Sequence, residues 1–139
     1  FPEKALWPRD GRARALARSI CAEMHSSFTA LRKQLPMDIA APHIHRPVDA
    51  EAQKDIQRIL DIWQQCRTQY GSNGDYLFGS LSIADAFYAP VVLRFNTYQV
   101  SLPDFAQHYA EKIMAWPALQ EWLQDAVKHP EKTDRTYSI

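Results

Sequence analysis

Glycine is scarce in this sequence, four in 139 residues, and three of the four fall within 71–79. Long windows therefore lack the residue that most readily interrupts regular backbone. Few positions alternate between apolar and polar at period two, so half-exposed strands are not expected. Cysteine is rarer still: Cys21 and Cys66 stand alone in apolar-periodic segments, without CxxC spacing. That pattern argues against a disulfide scaffold and fits a reducing, cytoplasmic compartment. Neither sign of charge is in excess, with 16 basic against 16 acidic residues. No basic field is available to bind phosphates by counterion release, so nucleic acid is not an expected partner. No apolar run approaches the roughly 18 residues of a membrane span, and no charged n-region with an apolar stretch opens the chain. Neither a membrane nor a targeting signal is therefore expected. An initiator methionine is missing too, and the start FPEKALWP reads as a cut end that something preceded.

What is present is helical periodicity. From Asp10 to Leu35, apolar residues recur at Ala13, Leu16, Ala17, Ile20, Met24, Phe28, Leu31 and Leu35, the three- and four-residue steps of one helix face. Asp10 suits the N-cap and Pro36 ends the run. PMDIAAPHIHRPVD, with three prolines, is a loop. A second stripe runs from Asp49 to Tyr70 and is stopped by GSNG at 71–74. Two long helices joined by one loop predict an antiparallel pair. A third helix is expected at about 82–98, apolar on most sides and so buried, with Pro90 kinking it. A fourth spans SLPDFAQHYAEKIMAW from Ser101, and a fifth opens at Pro117, where proline suits the first helical position. The expected fold is an all-α bundle of about five helices over 10–129, the size of one domain with a single core. Residues 130–139 read as a polar, fraying tail.

The buried helix raises a question of its own, because an aspartate, Asp85, sits inside its apolar stretch. SIAD is a capping-box pattern: Ser82 at the N-cap accepts from the amide of Asp85, and Asp85 reaches back to the amide of Ser82. A helix begun away from water cannot hand its first amides to solvent, and each one left unpaired costs about 1–3 kcal/mol. The helix dipole further favours the ionised form. Asp85 therefore reads as a folding residue, with proton transfer the lesser alternative. SLPD, Ser101 to Asp104, has the same form.

Together these segments resemble a known family. LFGSLSIADAFYAPVVLRF resembles the buried-helix signature of the glutathione transferase C-terminal domain, LWPRDGRARALARSICAEMHSSFTALRKQLPM its first helix in bacterial members, and WPALQEWLQDA its last. The likeness covers essentially the whole chain. FPEKALWP is similar to the linker that leaves the thioredoxin-like N-terminal domain. The resemblance implies a helical domain forming the electrophile-side wall of the cleft in a homodimeric transferase. It also implies that glutathione, as co-substrate and not a tightly bound cofactor, is held mainly by the thioredoxin-like domain. That domain normally supplies the Ser, Tyr or Cys that stabilises the thiolate, together with a cis-proline. None of these lies in the residues at hand, so the resemblance names no catalytic residue here and implies an inactive fragment whose parent conjugates glutathione to a small hydrophobic electrophile.

Several residues remain as candidates for binding. Arg14, Arg18, Cys21, His25 and Arg32 line up at helical spacing on the face opposite the apolar stripe. Since the family sets its first helix along the cleft, Arg18 or His25 would meet carboxylates of glutathione or of an acidic substrate. The plainer alternative is a solvated face paired by acids of neighbouring helices. Cys21 as a thiol nucleophile competes with Cys21 as a small buried hydrophobe. HIHR at 43–46 offers two imidazoles but no further ligand at metal spacing, and no metal is expected. Arg94 and Tyr98, one turn apart, either face substrate or place Arg94 in a buried ion pair. Trp63, Trp116 and Trp122 read as core, and Trp7 as a residue that packs on another domain. The alternative function is a non-catalytic interaction module of the same fold. A helical bundle unrelated to glutathione is the third reading.

Overall fold

The computed structural model describes residues 2–39 and 43–128. Among the described residues, after a single 3-10 turn at Pro2–Lys4, six α-helices follow: α1 (Gly11–Ser26), α2 (Thr29–Gln34), α3 (Ala50–Tyr70), α4 (Ile83–Thr97), α5 (Asp104–Met114) and α6 (Pro117–Lys128). The architecture is all-α. The tail proposed for 130–139 lies outside the described residues.

The helix count differs from the expected five because the first helix is two. Ser27 donates its amide to the Glu23 carbonyl and closes α1. Phe28 then turns left-handed, with φ 62 and ψ 42, while its side chain is buried. A left-handed phenylalanine is costly in isolation, and core burial of the ring holds it there. With no local side-chain cap, α2 draws one from a distance: the Leu31 amide donates to Asp55 Oδ2 of α3 at 2.9 Å. Arg32 seals the break by donating to the Ser27 carbonyl at 3.2 Å and to that of Met24.

Other ends follow local rules. Asp10 Oδ1 accepts from the Ala13 amide at 2.8 Å. Asp49 Oδ1 accepts from the amides of Glu51 and Ala52. α5 departs from expectation. Its N-cap is Pro103, whose carbonyl accepts from the Ala106 and Gln107 amides, while Ser101 is exposed and Asp104 is already the first helical residue. The helix starts two residues too late for Ser101 and Asp104 to form a capping box.

At the start of α4 the Asp85 carboxylate is fully buried and takes four donors. Oδ2 accepts from the Ser82 amide at 2.8 Å and the Ser82 hydroxyl at 2.9 Å. Oδ1 accepts from the Leu77 amide at 3.0 Å and the Tyr109 hydroxyl at 3.2 Å. One side chain thus ties together the first turn of α4, the loop before it and α5. That loop is also pinned by Arg67, which donates to the Tyr76 carbonyl at 2.9 Å. It folds back so tightly that a Cβ at Gly74 would lie 2.3 Å from the Gly79 carbonyl oxygen.

The core centres on Trp63 of α3, which is fully buried. Edge-on rings surround it: Tyr88 at 6.0 Å and Phe95 at 5.8 Å from α4, and Tyr109 at 4.8 Å from α5. Tyr88 donates its hydroxyl to the Ile20 carbonyl, joining α4 to α1. Arg58 of α3 grips Glu23 of α1 through two bonds of 2.7 and 2.8 Å. α4 continues through Pro90 as one helix and is largely buried, with Ala86, Phe87 and Asn96 exposed. Residues before α1 are stitched to this body, the Leu6 carbonyl accepting from the Ile83 amide at 2.9 Å.

Candidate functional site

The residues singled out for binding do not converge. Arg14, Arg18 and His25 are exposed on α1. Arg14 donates to the carbonyls of Pro8 and Arg9, and the Arg18 guanidinium stands 5.9 Å from the centre of the Trp7 ring. Trp7 is half-buried and packs against the core of its own chain. Cys21 is not on that face at all: it is 4% exposed, a core residue. Burial, reinforced by the nearby Asp85 charge, pushes its thiol up to about 11, and burial pushes Cys66 up to about 12. Neither thiol is poised as a nucleophile at neutral pH.

Arg94 and Tyr98 lie at the other end of α4 and face inward. The Arg94 guanidinium donates to the Leu35 carbonyl at 3.0 Å and the Pro90 carbonyl at 2.9 Å, so main-chain dipoles hold it where a carboxylate was expected. Burial lowers its pKa, aided by the charge of Arg32. The Tyr98 hydroxyl donates to the Pro36 carbonyl at 3.0 Å. Both residues fasten the chain leaving α2 to α4. His43 also serves the fold, its Nδ1 3.0 Å from the Asn96 carbonyl. Among the described residues no group of three His, Cys, Asp or Glu side chains could hold a metal ion, and no helix is long and apolar enough to cross a membrane.

One open surface is apolar. Between the outer face of α4 and α6 runs a groove of about 260 Å³, lined by Met37, Ala86, Pro90, Leu93, Trp116 and Trp122. Trp122 is 48% exposed and Phe87 beside Ala86 is 39% exposed. Spacing placed Trp122 in the core. The structure leaves it outside: α6 packs mainly on α5, and Leu119 is its one buried residue among those described.

The family model described as "Glutathione S-transferase, C-terminal domain" matches residues 12–125. This chain belongs to that family. No curated protein matches it. Among solved structures it is similar to a glutathione transferase homologue from Burkholderia gl BGR1, solved with bound glutathione, at a TM-score of 0.61 and 24% identity. The likeness covers 88% of this chain and 56% of that one, so the chain spans little more than half of that relative. At that identity the agreement is one of fold. The capped, largely buried α4 thus lies in a glutathione transferase C-terminal domain.

Proposed function

We propose that this chain is the electrophile-side domain of a glutathione transferase, with residues 1–9 as linker, 10–129 as the helical domain and 130–139 as a polar tail. The observation that supports this most is the α4–α6 groove: an apolar cleft with no polar group positioned for chemistry, on a chain of this family. Its lining suits a small hydrophobic electrophile, held by desolvation while a thiolate attacks. Glutathione would be bound chiefly by a thioredoxin-like domain of the same protein, which would also supply the group that stabilises the thiolate. Without it the fragment would not catalyse. The parent would act as a cytoplasmic homodimer, and two unoxidised, buried cysteines are consistent with a reducing compartment.

Calorimetric titration of glutathione into the 139-residue chain, and into a protein joining it to a thioredoxin-like domain, tests the assignment. Binding is expected only in the longer protein. Micromolar binding by the short chain would place the thiol site here and overturn the reading. Absence of binding in the longer protein would favour the non-catalytic interaction module instead.

A further inference from the structure

A second cleft, of about 340 Å³, opens between the C-terminal turns of α4 and α5 and the chain at His43. Its floor is apolar: Val92 and Phe95 are buried, and Leu102 and Met114 are half-buried. Its rim is polar and carries one sign of charge. Among the described residues that line it, Glu111 is the one carboxylate, and there is no lysine or arginine. Glu111 Oε1 accepts from Gln107 Nε2 at 2.9 Å, a bond that positions the carboxylate without neutralising it. The adjacent cation, Lys112, is committed to Asp75 Oδ2 at 3.0 Å. Two helices also end here, and each sets the negative end of its dipole toward the cleft.

The rim is held in place before any ligand arrives. Gln99 adopts a left-handed backbone, φ 49, so that the Val100 amide reaches back to the Phe95 carbonyl at 3.0 Å in a Schellman closure of α4. The opposite wall is tied to the same turn. His43 Nδ1 lies 3.0 Å from the Asn96 carbonyl, and the Ile44 amide donates to the Thr97 carbonyl at 3.0 Å. A carbonyl only accepts, so Nδ1 carries the hydrogen and a neutral His43 keeps Nε2 as a further acceptor.

We infer that this cleft binds a small monoamine with an aliphatic body, its ammonium meeting Glu111 and its hydrocarbon lying on Val92, Leu102 and Met114. An unpaired carboxylate beside two helix C-termini selects a cation over a neutral or anionic group of the same shape. The volume is at the small end of the range for small-molecule sites and accepts one saturated ring. The site is separate from the α4–α6 groove and does not rest on glutathione chemistry.

The probes are 2-cyclohexylethylamine, the alcohol 2-cyclohexylethanol and the anion cyclohexylacetate, titrated into the 139-residue chain by calorimetry at pH 7. The amine is expected to bind about tenfold more tightly than the alcohol, the worth of one charge-assisted contact, and the anion more weakly than either. Glu111→Gln should reduce amine affinity by about the same factor and leave the alcohol unchanged. Glutamine retains an oxygen that can accept from Gln107, and position 111 is exposed, so this variant is expected to keep the circular dichroism of the parent. Met114→Ala should weaken amine and alcohol alike, and Trp122→Ala, in the other groove, should move neither. No binding of the amine at low-millimolar concentration, equal affinity for amine and alcohol, full amine affinity in Glu111→Gln, or loss on Trp122→Ala would each overturn the proposal.

Discussion

The Tyr109 hydroxyl stands 3.2 Å from Asp85 Oδ1, so a residue of α5 completes the cap of α4. Sequence spacing alone predicts only the contact with Ser82. Removing this phenol while keeping the ring, in Tyr109→Phe, should cost about 1 kcal/mol, as one net hydrogen bond within a buried network. Asp85→Ala strips all four donors of their acceptor and should cost about 3–5 kcal/mol. Urea unfolding followed by far-ultraviolet circular dichroism measures both, and a loss for Asp85→Ala no larger than for Tyr109→Phe would refute the shared-cap account.

The same carboxylate sets a pH dependence. Burial raises the Asp85 pKa above its ordinary 3.8, and the bonds from Leu77, Ser82 and Tyr109 pull back only part of that rise. The folded state then holds this proton more tightly than the unfolded chain does. Its contribution to stability is greatest at low pH and falls as pH rises from about 4 through the raised value. Asp49 and Asp75, whose pKa values are lowered, act in the opposite sense below 3.8. Subtracting the stability of Asp85→Asn at each pH isolates the Asp85 share, which should decline with rising pH; a difference that grows would contradict the burial-dominated shift.

Asp55 gives a third test. Its carboxylate caps α2 from a neighbouring helix, and Asp55→Ala should cost about 1 kcal/mol, typical for a lost N-cap. Amide exchange at Leu31 should accelerate more than exchange at the middle of α3. Uniform acceleration would mean that the bond has no local role.

The thiols provide a fourth. With Cys21 near 11 and Cys66 near 12, almost no thiolate exists at pH 8, and both side chains are buried. Ellman's reagent should titrate neither in the native protein and both in guanidinium chloride. Prompt reaction of Cys21 in the native state would reopen its reading as a nucleophile.

Much of the fold is legible in the sequence because it is set by local rules. Asp10, Asp49 and Pro117 each begin a helix where short-range capping and ring geometry require. What was not legible depends on partners distant in the chain. The break at Phe28 is stabilised by core burial and by Asp55, 24 residues beyond Leu31, and no window around residue 28 contains that information. The α1 row misled because a helix wheel shows which residues share a side, not how wide the buried arc is. Cys21 falls inside that arc while Arg18 and His25 fall outside it. Spacing leaves Arg94 between facing substrate and a buried ion pair; the structure buries it against the Leu35 and Pro90 carbonyls, partners invisible to any search for acidic residues. At the groove, Trp122 showed its residue type and not its exposure.

The bond from the Ile83 amide to the Leu6 carbonyl has a mechanical implication. A pull or twist applied upstream of Trp7 is delivered across one hydrogen bond to the first turn of α4, where Ser82 and Asp85 are joined to Leu77 and Tyr109. The segment ahead of α1 is thus a lever whose fulcrum sits on the most deeply embedded helix.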